Sequence, residues 1–306
     1  MVKTSSTACY TWQGMRAFAA LLLAASAAAQ NQNPPFVVPA GVDQKLDIVY
    51  ARYGNRELRL DLFLPNGGTG RFPAIVYVHG GGWRGGNRSA FRRQAAYMAA
   101  KGFAGACIEY RLSGEAKWPA ALHDAKAAVR WVRANAARYN INPEKIGAAG
   151  GSAGGHLVAL LGVTRHRGEL EGDGGSPNGD SCVQAVAAFN PALDLASFGR
   201  GKQEPGIVAV FDFLGARYED NPGLWEMASP VTYASPDSAP MLFLHGTADR
   251  TVPYQQSVDM RDRLAAAGVP ADLFTADGAA HGFFNSPPWF EPALKRMEEF
   301  FLRMLK

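Results

Sequence analysis

Short apolar runs alternate with amphipathic stretches along most of this chain of 306 residues. Most of the runs are rich in Val, Ile, Phe and Ala, a pattern typical of strands that are covered on both faces. The predicted strands are Leu46–Tyr50, Leu58–Leu64, Ala74–Val78, Phe103–Ile108, Ile146–Ala149, Val183–Phe189, Met241–Leu244 and Ala271–Thr275. Such alternation predicts an α/β fold in which helices cover both faces of an open, mostly parallel sheet.

The intervening helices are indicated by apolar residues that recur at spacings of three and four. The predicted helices are Phe91–Lys101, a long helix that opens at Pro119, Ala153–Gly162, a helix from Tyr254 that stops at Gly268, and a last helix from Phe290 to Met304. The second strand is different, because its leucines alternate with Arg59, Asp61 and Phe63 until Pro65 ends it. That alternation favours an antiparallel, half-exposed start to the sheet.

The first residues have a composition of their own. Lys3 and Arg16 are the first charges of the chain, and the apolar run Ala17–Ala29 follows Arg16. The run is too short to span a bilayer and ends in three alanines, which is typical of a secretory signal. We therefore expect a signal peptide at 1–29, a mature domain at 30–306 and a secreted or periplasmic location. An uncleaved anchor helix is the alternative; after cleavage no stable membrane insertion is expected.

Composition excludes several classes of function. The chain carries 31 basic and 27 acidic residues, a net charge of +4, without a long basic cluster, so nucleic-acid binding is not expected. Three cysteines are too few for a disulfide framework, and their spacing fits no zinc site. Cys107 and Cys182 lie in or beside predicted strands, where two inert thiols are favoured over a disulfide. We expect no metal and no cofactor; the oligomeric state stays open.

The strongest motif is Gly150-Gly151-Ser152-Ala153-Gly154, which has the form G-x-S-x-G. It lies between a predicted strand and a predicted helix, where a tight turn would expose the Ser152 hydroxyl. The flanking glycines leave room for that turn, and the helix N-terminus favours developing negative charge. Ser152 is therefore the candidate nucleophile.

A second motif, His79-Gly80-Gly81-Gly82-Trp83, follows the strand Ala74–Val78. Glycines expose backbone N–H groups, so Gly81 and Gly82 are candidate oxyanion donors together with the N–H of Ala153. No Gly-Lys-Ser/Thr follows, which argues against a phosphate loop. His79 is expected to support the loop and not to act as a base.

A serine nucleophile needs a histidine base, which in turn needs a carboxylate. His281 lies in a loop of small residues between the last strand and the last helix, which favours it as the base. Asp249, after the strand Met241–Leu244, is the favoured acid, and Asp277 is its rival. Three other histidines are expected to be structural or distant from the site: His156, His166 and His245.

At these motifs the sequence resembles the α/β-hydrolase superfamily. More narrowly, it is similar to bacterial esterases with an HGGGW motif, close to feruloyl and acetylxylan esterases and to hormone-sensitive-lipase-like carboxylesterases. The resemblance extends from about Leu46 to the C-terminus. It implies a Ser152, Asp249 and His281 triad with an oxyanion hole at Gly81, Gly82 and Ala153. Trp83 and Phe283, beside these motifs, are candidate substrate contacts.

Lipase-like relatives usually carry a helical cap before the first strand, and here we expect no large N-terminal cap. The excursion at 198–240 is the remaining candidate for a lid or pocket wall; ordinary surface packing is the alternative. An open cleft would suit short acyl groups on a bulky alcohol.

The resemblance implies a secreted serine carboxylesterase that acts on a small ester or an acylated polysaccharide. Acetylxylan is the first candidate substrate, and feruloyl esters are the second. One alternative is a prolyl-oligopeptidase-like peptidase, although such enzymes normally carry a large N-terminal domain. The other is a non-catalytic binding module, which would typically lack a member of the triad.

Overall fold

The computed structural model describes residues 36–68, 70–201 and 206–306. The predicted signal peptide at 1–29 lies outside these ranges. From Val38 to Lys306 the chain forms one compact unit, whose described residues include the strands β1 (Val42–Tyr53), β2 (Arg56–Pro65), β3 (Phe72–Val78), β4 (Ala104–Ile108), β5 (Ile141–Gly151), β6 (Ala185–Phe189), β7 (Met241–Gly246) and β8 (Ala271–Ala276).

These eight strands of the described chain form one sheet in the order β1-β2-β4-β3-β5-β6-β7-β8. The pairs β1–β2 and β2–β4 are antiparallel, and every later pair is parallel. The fold is therefore the predicted mostly parallel sheet with an antiparallel start. All eight predicted strands are present.

The α-helices of the described ranges lie between and after these strands. They are α1 (Arg92–Ala100), α2 (Ala120–Ala134), α3 (Ala153–Val163), α4 (Leu195–Gly201), α5 (Gly206–Leu214), α6 (Pro222–Met227), α7 (Gln255–Ala266) and α8 (Phe290–Leu305). The buried residues of α2, α3 and α7 belong to one core cluster, and those of α1 and α8 belong to a second. Helices thus cover both faces of the sheet, as predicted.

Two strands begin several residues before their apolar patterns indicate. β1 begins at Val42 and not at Leu46, because its polar residues pair with β2 along an exposed edge. β5 begins at Ile141, where Phe72 of β3 pairs with it before the apolar run starts. In both strands, backbone pairing continues where side-chain burial stops.

Short helices form much of the 198–240 excursion. This stretch holds most of α4, then α5 and α6, and a 3₁₀ turn at Pro230–Tyr233. Among the described helices, none combines the length and apolarity needed to cross a membrane. Cys107 and Cys182 are both buried and unpaired, as favoured by the sequence.

Parallel strands place their carboxyl ends at one edge of the sheet, and the loops that leave this edge carry the predicted site. Ser152 follows β5, and the His79–Trp83 motif follows β3. Asp249 follows β7, and His281 follows β8. Residues that are far apart in the sequence therefore meet at this edge.

Candidate active site

Ser152 occupies a strained turn between β5 and α3. Its φ and ψ angles are 54° and −119°, a conformation that L-residues rarely adopt. A Cβ atom added to Gly154 would lie 2.1 Å from the carbonyl oxygen of Val78, and one added to Gly150 would lie 2.6 Å from the carbonyl oxygen of Gly154. Both glycines are therefore required for the turn that presents the serine hydroxyl.

The three predicted triad side chains form one hydrogen-bonded chain. His281 Nε2 lies 2.9 Å from Ser152 Oγ, and His281 Nδ1 lies 2.7 Å from Asp249 Oδ2. The Asp249 carboxylate is completely buried, whereas the His281 side chain is 24% exposed. The imidazole can therefore carry a proton between the hydroxyl and a group that approaches from solvent, while the buried carboxylate holds its Nδ1–H.

The surroundings of Asp249 favour the ionised carboxylate. Burial raises the pKa of Asp249, but hydrogen bonds from His245, His281 and the backbone N–H of Val252 outweigh burial and hold this pKa well below its ordinary value. Asp277, the rival acid, instead accepts a hydrogen bond of 3.0 Å from the Thr247 hydroxyl. The structure thus brings Asp249 to His281.

The glycine loop after β3 packs directly against the serine turn. A Cβ atom on Gly80 would lie 3.2 Å from Ser152 Cβ, and one on Gly81 would lie 2.3 Å from the Gly85 carbonyl oxygen. Gly81 and Gly82 have φ angles of 117° and 60°, which favour glycine.

The backbone N–H groups of Gly81 and Gly82 have no backbone acceptor among the described residues. Ala153 is the first residue of α3, so its N–H has no acceptor within the helix. These three donors are free to bind an oxyanion beside Ser152.

His79 supports this loop. Its Nδ1 lies 2.8 Å from the Gly80 carbonyl oxygen, and its ring stacks on Tyr110 with 4.4 Å between centroids. The Tyr110 hydroxyl donates to the His79 carbonyl oxygen at 3.0 Å. Burial lowers the pKa of His79, so the ring is neutral at pH 7.

The structure buries both predicted substrate contacts. Trp83 is 4% exposed, stacks on Phe213 with 4.6 Å between centroids, and donates through Nε1 to His156 Nδ1 at 3.3 Å. Phe283 is 7% exposed and packs edge-on against Phe284 and Trp289. Little of either ring is left to contact a ligand.

His156 joins three parts of the site and does not act on Ser152. Its Nδ1 accepts from Trp83 of the glycine loop, and its Nε2 donates to the Ala228 carbonyl oxygen at 2.7 Å. Burial lowers the pKa of His156 to about 4, so the neutral ring matches both bonds. The histidine ties α3 to the glycine loop and to the residue that follows α6.

Asn190 also contacts His281, and no motif in the sequence predicts this contact. It directly follows β6, is completely buried, and has a φ angle of 35°. Its Oδ1 accepts from the Gly282 N–H at 3.2 Å, which places Nδ2 3.3 Å from His281 Nε2. The signal for such a residue is its position, since a polar side chain at the carboxyl end of a central parallel strand faces the site.

Helix α5 of the excursion lies beside the glycine loop. Ala209 Cβ would be 3.6 Å from a Cβ atom on Gly82, Phe213 stacks on Trp83, and Arg84 pairs with Asp212 at 2.8 Å. On the same helix, Val208 and Phe211 are 44% and 39% exposed. Helix α5 of the excursion therefore lies beside the backbone N–H groups of the glycine loop.

No group of three or more His, Cys, Asp or Glu side chains in the described ranges is arranged to hold a metal ion. The groups that the described residues bring together at the site are a hydroxyl, an imidazole, a buried carboxylate and three backbone N–H groups.

A serine in a strained strand-to-helix turn, linked to histidine and aspartate from later loops of this sheet, defines an α/β-hydrolase. The BD-FAE family profile matches residues 60–264, about two thirds of the chain. The protein belongs to the BD-FAE family, and the resemblance found in its sequence is confirmed.

Relatives and solved structures agree with this assignment. The chain is 34% identical to esterase LipQ of Mycobacterium tuberculosis over 79% of its own length and 58% of that protein. A truncated carbohydrate esterase from gut microbiota matches 86% of this chain and 96% of its own at a TM-score of 0.75 and 28% identity.

Esterase Est2 of Thermogutta terrifontis, solved with bound propionate, matches 86% of this chain and 94% of its own at a TM-score of 0.73 and 32% identity. The chain spans little more than half the length of the first curated relatives.

Proposed function

We propose that this protein is a serine carboxylesterase that cleaves short acyl esters through an acyl-enzyme. The observation that carries the proposal is the hydrogen-bonded chain from Ser152 through His281 to Asp249, opposite the free N–H groups of the glycine loop. A non-catalytic binding module would not need all three side chains in contact. The esterase relatives support the same activity.

The reaction begins when Ser152 Oγ attacks the ester carbonyl carbon and its proton passes to His281 Nε2. The carbonyl oxygen becomes an oxyanion that accepts hydrogen bonds from Gly81, Gly82 and Ala153. As the tetrahedral intermediate collapses, the ester C–O bond breaks and the alcohol leaves with the proton from His281. Water then repeats the sequence on the acyl-enzyme, which releases the acid and restores the Ser152 hydroxyl.

Acylated plant polysaccharide is the proposed substrate, with acetyl groups on xylan first and feruloyl groups second. The structural similarity to a carbohydrate esterase supports a sugar alcohol. The propionate bound to the Thermogutta esterase supports a short acyl group. Helix α5, on which Val208 and Phe211 are exposed, would form a pocket wall with apolar surface beside the N–H groups of Gly81 and Gly82.

The assay compares acid release from acetylated xylan with hydrolysis of methyl ferulate and of 4-nitrophenyl esters of increasing chain length. We expect acetyl esters to be the best substrates and turnover to fall as the chain lengthens. Hydrolysis of a proline 4-nitroanilide without ester hydrolysis would show a peptidase instead. Full activity in Ser152→Ala would overturn the mechanism.

A matched pair of variants tests the identity of the acid. Asp249→Asn is expected to lower kcat by about 10⁴, because the amide no longer holds the His281 tautomer. Asp277→Asn removes the charge but keeps an oxygen that can accept from Thr247, and it removes no contact with His281, so kcat is expected to stay at the wild-type value. The reverse result would assign the acid to Asp277.

We propose export to the periplasm or the medium, supported by the signal-like pattern of residues 1–29. The test is to express the full chain in a bacterium with a secretory pathway and to sequence the N-terminus of the protein recovered outside the cytoplasm. A start at Gln30 is the expected result. Recovery of the uncut chain from the membrane would support the anchor-helix alternative.

A further inference from the structure

A second histidine contacts the carboxylate of the triad. His245, at the end of β7, places Nε2 3.2 Å from Asp249 Oδ2 and 3.1 Å from the Val252 carbonyl oxygen. On its other side, Nδ1 lies 2.7 Å from Ser257 Oγ on α7. The side chains of His245 and Asp249 are both completely buried, so water does not replace these contacts.

The neighbours of His245 determine which nitrogen carries the proton. Nε2 faces two acceptors, a carboxylate and a carbonyl oxygen, so it must be a donor. Nδ1 faces a hydroxyl, which can donate to it. The neutral tautomer with Nε2–H therefore satisfies every contact of the ring, and Ser257 selects this tautomer by donating to Nδ1.

Four donors then converge on the Asp249 carboxylate. Oδ1 accepts from the N–H groups of Thr251 and Val252 at 2.8 and 2.9 Å. Oδ2 is shared between His281 Nδ1 at 2.7 Å and His245 Nε2 at 3.2 Å. Since the backbone bonds reach only Oδ1, His245 is the second contact that determines the position of Oδ2.

We propose that His245 is a positioning residue for the proton transfer, which acts through Asp249 and does not touch the substrate. This inference rests on the proposed function. His245 fixes the orientation of Oδ2 toward His281 and draws part of the carboxylate charge toward itself. The other groups that face the ring are Ser257 on α7 and Tyr254, whose ring meets it edge-on with 5.7 Å between centroids.

The test uses two amide substitutions that differ in reach. In His245→Gln the side-chain nitrogen reaches the place of Nε2 and can still donate to Asp249. In His245→Asn the shorter amide reaches only the place of Nδ1, so it can contact Ser257 but not Asp249. Both variants replace the ring by a neutral amide, which makes each a control for the other.

We expect His245→Asn to lower kcat/KM for 4-nitrophenyl acetate about tenfold, mostly through kcat. This is the typical size of effect when a side chain that hydrogen-bonds to a functional residue is lost. His245→Gln is expected to stay within about threefold of the wild type, because the donor is restored. In His245→Asn the Asp249 carboxylate loses the hydrogen bond from His245, so it interacts more strongly with the protonated form of His281. The acid limb of the pH profile of kcat/KM is therefore expected to move to higher pH by about half a unit.

Equal activity in both variants, or equal loss in both with an unmoved acid limb, would overturn the proposal and leave His245 a packing residue. Where His245→Asn fails to fold, Ser257→Ala provides the second test, because it frees Nδ1 without removing the ring. Because Nε2 still faces Asp249 in this variant, a smaller fall in kcat and a smaller shift of the acid limb in the same direction are then expected; wild-type kcat and pH profile would count against the proposal. A wild-type protein without ester hydrolysis would instead refute the proposed function.

Discussion

The serine turn at 150–154 and the excursion at 198–240 differ in how much of their side-chain surface is exposed to solvent. Around Ser152, the glycines at 150 and 154 pack against backbone atoms, and every residue of α3 is buried. In the excursion, helix α5 contacts the glycine loop through the buried stack of Phe213 on Trp83 and through an exposed ion pair, and it leaves Val208 and Phe211 partly exposed to solvent.

The difference separates two tasks. The serine turn has no free space, so it presents the nucleophile and the donor of Ala153 in one geometry. The excursion is packed through buried side chains such as Phe213 and Trp225, but one face of α5 is exposed, so side chains on that face can change without disturbing the triad. We expect substitutions in the turn to alter stability and kcat, and substitutions in the excursion to alter KM.

The same substitution in both regions gives the largest contrast. Gly154→Ala would place a Cβ atom 2.1 Å from the Val78 carbonyl oxygen, and we expect it to cost at least about 3 kcal/mol of unfolding free energy and to abolish esterase activity. Gly223→Ala in α6 meets only the Asn221 side chain, at 3.9 Å. It is expected to stabilise the protein by up to about 1 kcal/mol in urea unfolding. Similar changes in both variants would remove the distinction.

His156, which joins the two regions, predicts a pH dependence. Burial lowers the pKa of His156 from 6.5 to about 4, so between these values the unfolded chain binds a proton that the folded protein does not. Stability is therefore expected to fall as the pH drops from 6.5 to 4, by about 3 kcal/mol from this residue.

His156→Asn, which can still accept from Trp83, should remove this part of the slope. The measurement is the free energy of unfolding at pH 7 and pH 4.5 in both proteins. An unchanged slope would show that His156 titrates normally.

Asn190 connects the end of β6 to the loop that carries His281. Asn190→Ala removes the acceptor for Gly282 and the donor near His281 Nε2, and we expect kcat/KM to fall about tenfold. Asn190→Asp keeps the acceptor but adds negative charge beside the imidazole, which should move the acid limb of the pH profile to higher pH. Asn66→Ala, on the exposed turn after β2, is the control and should match the wild type. Wild-type kinetics in both Asn190 variants would leave this contact without a role.

The smallest effect on stability is expected at the exposed face of α5. Phe211→Ala should change the free energy of unfolding by less than about 1 kcal/mol, because the ring is 39% exposed. KM is expected to rise for 4-nitrophenyl esters while kcat changes little. Leu302→Ala, a comparably exposed apolar residue on α8, should leave both constants unchanged. A fall in kcat for Phe211→Ala would show that the excursion also positions the triad.

The sequence predicts the sheet well because its strands are local patterns of burial. It predicts Ser152 and the glycine loop for the same reason, since these motifs need particular residues next to one another. From the sequence, His245 is expected to have only a structural role, and no motif marks Asn190. The Asn190–His281 contact joins residues 91 positions apart, and no local pattern marks it.

Trp83 and Phe283 show the opposite error of sequence reasoning. Both lie beside catalytic motifs, which made them candidate substrate contacts, but the fold turns both rings into packed aromatic clusters. Position next to a motif does not determine the direction of a side chain. Burial does, and burial depends on elements distant in the sequence.

By itself, the sequence determined the α/β class, the order of the strands along the chain, the glycine-flanked serine and the candidate triad. The first three follow from residue types within a few positions of one another, and the candidate triad follows from such motifs together with the family resemblance. Only the tertiary structure decided that the favoured Asp249 and not its rival Asp277 contacts His281, that His245 and Asn190 join these residues, and that α5 lies beside the glycine loop. These choices depend on which loops meet at the carboxyl edge of the sheet, and that is a property of strand order and packing.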